Sequence, residues 1–243
     1  MSNTNHRRGR QVVTFIVSGL IVIAAIWIFF NRQSVLDYAT NLVYQPSSDV
    51  QAIASRAKLS EAGKFTFFAT RPEVLEQDEF NAACPRQEQA SPILGCYTSG
   101  DRIFMYDITS QQLDGIKEVT AAHELLHAVW MRMSLNERAT LEPLLTAAYE
   151  TNASDALKTR MEYYSRTEPT EFTNELYAIL GTEVPNLGEQ LEAEYSRYFN
   201  RDAVLTLFDG YNSTYTSLSN RATELATTME ALGKRIDDES QVY

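Results

Sequence analysis

Val119-Thr120-Ala121-Ala122-His123-Glu124-Leu125-Leu126-His127-Ala128-Val129 places two histidines four residues apart, with a glutamate directly after the first. Residues four apart on an α-helix lie on one face, a single turn from each other, so the two imidazoles can converge on one ion at about 2.0–2.1 Å. Glu124 is rotated by about 100° from His123, which keeps it off the ion but within reach of a water beside it, the place of a general base. The chain has 3 histidines, and only His6 lies outside this motif. Without a metal, two imidazoles and a carboxylate on an apolar helix would carry a desolvation cost with no partner to offset it. A di-iron helical bundle also uses Glu-x-x-His, here Glu124 and His127, but it needs a second copy of that unit and no other histidine remains outside the N-terminal anchor region to supply one.

Around this helix the pattern divides in two. From about Leu113 to the end it is helical. A helix is expected over 115–133, with Val119, Ala122, Leu126, Val129 and Met133 on its apolar stripe. A second opens at the capping box Ser134/Glu137, a third covers about 156–164, a fourth starts at Pro169 and stops at Gly181, and a fifth carries Tyr195, Tyr198 and Phe199. The last bears a heptad seam of Tyr211, Tyr215, Leu218, Ala222, Leu225, Met229, Leu232 and Ile236, which packs on its own domain or joins a second copy in a homo-oligomer. Before the active helix, Lys64 to Thr70 reads as a strand rich in aromatic and β-branched residues. Ile93 to Thr98 and Arg102 to Ile108 form a hairpin about the turn Ser99-Gly100-Asp101. The expected class is therefore α+β, mostly helical, with a small β-sheet before the active helix.

At the N-terminus no charged residue occurs from Gln11 to Asn31, an apolar run long enough to cross a bilayer. Its length and its ending at Phe29-Phe30-Asn31-Arg32 favour an uncleaved anchor over a cleaved signal peptide. Arg7, Arg8 and Arg10 precede the run and only Arg32 follows closely, which puts the N-terminus in the cytoplasm and the rest outside. The expected segments are a cytoplasmic stretch 1–10, a transmembrane helix 11–31, a stalk 32–63, the catalytic domain 64–208 and the heptad helix 209–243. In an oxidising compartment Cys84 and Cys96 form a disulfide, the alternative being two buried free thiols. The net charge of -11, with the few basic residues scattered, leaves no cationic stripe for nucleic acid.

His123-Glu124-x-x-His127 resembles the active-site helix of the zincin metallopeptidases, over the motif and its immediate surroundings. The close-ligand variant of that motif fails here, because Trp130 and Met133 stand where its glycine and final histidine belong. The resemblance then implies the gluzincin arrangement, in which a glutamate on a later helix completes the zinc site. Thr173-Asn174-Glu175-Leu176 is similar to the segment that supplies it in thermolysin-like enzymes, so Glu175 is the expected third ligand, with Glu171, Glu183 and Glu168 as rivals. The interval from His127 to Glu175 is longer than in those enzymes, and the aspartate that orients a zinc histidine is not at the matching place. By the same resemblance the chain is a zinc endopeptidase acting on peptides or proteins, with Glu124 as base and Arg102 to Ile108 as an edge strand along which the substrate lies. Tyr195, Arg197 and Tyr198 are candidate donors to the oxyanion. The alternative from another class is a non-catalytic anchored scaffold whose heptad helix binds a partner and whose metal is structural.

Overall fold

A computed structural model describes residues 3–85 and 93–240. Its centre is a helix, α6 (Ile116–Arg132). Ala121, Ala122, Leu125, Leu126 and Ala128 are all wholly buried, so the helix is enclosed rather than striped. Gly115 begins it and Met133 turns extended to end it, handing the chain to the Ser134/Glu137 capping box of α7 (Leu135–Asn152) as expected. Then follow α8 (Asp155–Thr167), α9 (Phe172–Glu183), α10 (Glu189–Ser196) and α11 (Arg201–Ser240). The fourth expected helix differs at both ends. Its N-cap is Glu171 rather than the residue before Pro169, and Gly181 lies inside it because the Tyr195 ring presses on that position.

Ahead of α6 lies a three-stranded sheet of β1 (Glu73–Leu75), β2 (Gly95–Thr98) and β3 (Arg102–Tyr106), in the order β1-β3-β2. The expected hairpin is present, with Cys96 opposite Phe104, and its turn passes through Asp101 at φ 55, a conformation Asp tolerates better than most residues. Ile103 and Met105 alternate inward and are wholly buried. β1 was not foreseen; it pairs parallel to β3, with Val74 beside Met105. That pairing corrects one expectation. The strand at Arg102 is central and has no free edge; the edge strands among the described residues are β1 and β2, and it is β2 that borders the cavity. A disulfide joins Cys84, at the end of α5 (Gln77–Ala83), to Cys96 on β2, as the sequence led us to expect.

Lys64 to Thr70 is not a strand. It lies in α4 (Glu61–Ala69), where the Ser60 hydroxyl accepts from the Gly63 N–H and Glu61 sits in the first turn. Gly63, Phe67 and Thr70 are buried at helical spacing, and packing of that face overrides the β preference of the residues. Nor does Gly63 stop the preceding helix, α3 (Ser48–Arg56), which ends where Lys58 turns left-handed at φ 52. Its role is close approach: a Cβ on Gly63 would stand 1.9 Å from the Tyr198 carbonyl oxygen. The segment expected as a stalk packs into the domain, since Val50, Ile53, Ala54 and Ala57 belong to the same core as α6.

The N-terminal apolar run lies in α1 (Asn3–Phe30), followed after Asn31 by α2 (Arg32–Val43). Phe15, Phe29 and Phe30 are more than three-quarters exposed. Among the described residues no single helix is long and apolar enough to cross a membrane; Phe15–Phe30 and Arg32–Val43 meet that length and composition only together, bent by 85°. The side chains of the expected span before Phe15 lie outside the described residues. At the other end, α11 packs its first turns on α6 and α9, while Leu225, Met229 and Ile236 of the heptad seam are exposed.

Asp37 of α2 is buried and accepts two hydrogen bonds from Arg132, at 2.9 and 2.8 Å, while Asp101 accepts two more from the same guanidinium at 3.0 and 2.9 Å. Burial raises the Asp101 pKa, but the Arg132 bonds and charge outweigh it and hold the carboxyl below its usual value. A depressed folded pKa adds stability above the unfolded pKa and loses it as pH falls through the folded one. Asp101→Asn, which keeps the turn geometry, should therefore reduce stability at neutral pH and shrink the difference from wild type under acid, read by urea denaturation at stepped pH. Gly63→Ala should cost about 1–3 kcal/mol or more in the same assay, because the atom it meets is backbone and cannot swing aside.

Candidate metal centre

Since α6 is a regular helix, His123 and His127 come to one face, their ring centroids 4.8 Å apart and their Nε2 atoms 3.2 Å apart. α9 packs across α6 and delivers Glu175 to the same point. Its Oε2 lies 3.7 Å from His123 Nε2 and its Oε1 lies 3.5 Å from His127 Nε2. The expected trio is thus brought together, with one ligand atom from each residue all within 4.8 Å of one another. Ligands held tetrahedrally at about 2.0–2.1 Å from an ion stand roughly 3.3–3.4 Å apart, close to these separations. Glu175 Oε2 is also buried without a hydrogen-bond partner, an arrangement that costs free energy unless something cationic meets it. The residues fit a metal ion.

Behind the ligands, His127 Nδ1 donates to Asn174 Oδ1 at 3.0 Å, and Asn174 Nδ2 donates to Glu171 Oε2 at 2.9 Å. That chain leaves the Nε2 lone pair of His127 facing the trio and fixes the ring. Glu171 therefore acts through Asn174 and not as a ligand. Glu183 pairs with Arg160 instead, and Glu168 borders the cavity without joining the trio.

Burial raises the pKa of Glu175, but His127, His123 and the Tyr164 hydroxyl beside it hold the carboxyl below the usual range. For His123, burial acts to lower the pKa, and Glu175 and Glu124 raise it further than burial lowers it. Glu124 goes the other way: burial raises it above an ordinary carboxylate, the two histidines and the Tyr97 backbone N–H opposing. A carboxylate shifted upward is a better proton acceptor near neutrality.

These groups line a cavity of about 450 Å³ bordered by β2 on one side and by Tyr164 of α8 on the other. β2 lies so close that a Cβ on Gly95 would stand 2.9 Å from Glu124 Oε1 and 2.6 Å from the Thr120 methyl. Glycine at that position is what lets the strand meet the helix at Glu124.

Three expected site residues are elsewhere. Tyr195 is wholly buried and donates to the Tyr177 carbonyl at 2.8 Å. Arg197 pairs with Glu194 at 2.8 Å and stacks over the Tyr198 ring, and the backbone of this stretch receives α4, with Ser60 bonded to the Tyr198 and Arg197 carbonyls. Their aromatic and cationic character serves packing between helices. The hydroxyl that does reach the trio, Tyr164, carries no local signal in the sequence, because its position depends on how α8 lies against α9.

Compared with known protein families, with curated proteins and with solved structures, the chain finds no match.

If Asn174 orients His127, Asn174→Ala should weaken metal uptake about 10–100-fold. His127→Ala and Glu175→Ala should remove it. Equilibrium dialysis of the folded chain against Zn2+ or Co2+ reads all three, and unchanged affinity in His127→Ala would dismiss the centre.

Proposed function

We propose that this chain is a membrane-anchored, zinc-dependent endopeptidase. The observation that carries the reading is the meeting of His123, His127 and Glu175 around one point, with Glu124 beside it in the same cavity. Two imidazoles and one carboxylate form a donor set that suits zinc. The trio would supply three protein ligands to such an ion, the number found in hydrolytic zinc sites. A zinc ion held by His123, His127 and Glu175 would supply Lewis acidity.

The rest of the chemistry belongs to side chains. Glu124 accepts a proton from the attacking water at its carboxylate and gives it to the departing amine nitrogen, serving first as base and then as acid. Its raised pKa suits both halves of that task. The Tyr164 hydroxyl stands beside Glu175, with its own pKa raised by burial and by the nearby carboxylates, so it stays protonated and, on turning from Glu175, would donate its one hydrogen to a developing oxyanion. In this role it replaces Tyr195, Arg197 and Tyr198. β2 pairs with β3 on one side and borders the cavity on the other, which supports an extended polypeptide lying along it. Support for the anchor is the apolar surface of α1, whose side chains from Phe15 to Phe30 pack on little of the domain.

A scaffold with a structural metal is the second reading, and the exposed Leu225, Met229 and Ile236 of α11 favour it for that helix. A structural site would be closed by a fourth protein ligand. Among the described residues the trio gains none.

Glu124→Gln should retain about one zinc per chain while hydrolysis of a peptide library falls at least about 10²-fold. Mass-spectrometric cleavage profiling beside metal analysis measures both. Undiminished hydrolysis in that variant would reject the peptidase reading.

A further inference from the structure

The 85° bend between α1 and α2 sets α2 across the axis of the apolar run, and the two faces of α2 differ in kind. Toward the domain it presents Asp37, bonded to Arg132, and Asn41, whose amide donates to the Phe65 carbonyl at 3.0 Å; Gln33 donates to both Asp37 and Asp101 at 2.9 Å. These residues recur at a spacing of four along one side of the helix. The opposite side carries Val35, Leu36, Ala39, Leu42 and Val43, of which Leu42 and Val43 are 84% and 78% exposed. No acid lies on that side: Asp37 is the only one in α2 and it is turned inward, while the single base, Arg32, is exposed at the end nearest α1. Tyr38 flanks the apolar side, itself exposed and edge-on to Phe65.

We propose that α2 lies in the plane of the membrane surface, its Leu36, Ala39, Leu42 and Val43 side sunk among lipid headgroups and its Asp37 side clamped to the catalytic domain. Continuity decides the occupant. The exposed side of α2 continues, past the single residue Asn31, from the apolar surface of α1, so lipid that surrounds one helix reaches the other. A helix that leaves the bilayer and bends through nearly a right angle must run along its surface. Apolar face inward, a base at the boundary and a tyrosine at headgroup level are the features of an interfacial helix. A second copy of the chain would find no charge to pair on this side apart from Arg32. Because Arg132 is the last residue of α6, the clamp ties the lipid surface to the helix that carries the ligands. His127 and His123 follow at about 8 and 14 Å along its axis, five and nine residues at about 1.5 Å each.

The inference rests on the anchoring half of the proposed function and is independent of the peptidase half. The test uses the full chain in phosphatidylcholine–phosphatidylglycerol vesicles, with single nitroxide labels on cysteines placed at Ala39, Leu42 and Val43, at Ile23 in α1 and at Thr140 in α7. Cys84 and Cys96 are bonded to each other and take no label. The expected result is oxygen accessibility exceeding that of a water-soluble nickel complex at 39, 42 and 43, at a depth of about 5–10 Å, with Ile23 deeper and Thr140 in water. Labels at 39, 42 and 43 that match Thr140 overturn the proposal, as do labels as deep as Ile23, which would make α2 part of a broken span. Shielding from both reagents assigns the face to protein and also overturns it. Should Ile23 itself lie in water, the anchor fails and the interfacial helix with it, a pattern distinct from loss at α2 alone.

Discussion

Two imidazole nitrogens held 3.2 Å apart beside a carboxylate oxygen with no hydrogen-bond partner set the terms for the middle of this protein. Buried polar groups destabilise a fold unless each is met, and this trio is met within the protein by Asn174 at His127 Nδ1 and by the Tyr164 hydroxyl beside Glu175. The remaining lone pairs converge on one point. Every element around that point serves to keep it so: α6 by its helical repeat, α9 by carrying both Glu175 and the Asn174 that orients His127, and α8 by bringing Tyr164 against Glu175.

α6 is also the member through which distant parts of the chain communicate. Its first turn holds Glu118, buried and paired with Arg56 at 3.1 Å from α3; its middle holds His123, Glu124 and His127; its last residue, Arg132, binds Asp37 of α2 and Asp101 of the hairpin turn. An arginine that gives four hydrogen bonds to two carboxylates and a fifth to the Ala128 carbonyl fixes three elements at once, because its fork leaves few geometries that satisfy both carboxylates together. The ion pair is partly buried, so removing one partner leaves the others with unmet charge rather than returning them to water.

Local signals in the sequence carried the residues that depend on local geometry. The spacing of His123 and His127, the capping box at Ser134 and the turn at Ser99-Gly100-Asp101 each specify their structure within one or two turns of chain, and each is found. Glu175 came from its resemblance to an Asn-Glu segment, and it lies in the trio. What the sequence did not disclose depends on packing between elements. Lys64 to Thr70 has the composition of a strand but buries a helical face, and Gly63 and Gly181 look like stops but are contact points with Tyr198 and Tyr195. Tyr195, Arg197 and Tyr198 have the chemistry of oxyanion donors, yet their neighbours turn them to other partners. The three-residue strand β1 is too short to show any periodicity.

The sheet gains its meaning from that same distinction. Had β3 been an edge, its backbone would face outward with nothing to fix it; β1 covers it, and β2 is left beside the cavity. Three restraints hold β2: the disulfide from Cys96, contact of Gly95 with Thr120 and Glu124, and the Tyr97 hydroxyl bonded at 2.8 Å to Asp101, itself held by Arg132. A free strand edge is ordinarily a hazard for unspecific pairing and is kept short or covered. Here it is four residues long and pinned at both ends, so a polypeptide that pairs with it meets groups already ordered. The entropy of ordering the strand is then spent during folding rather than on binding, which is what the proposed peptidase would need to hold a scissile bond at a fixed distance from Glu124.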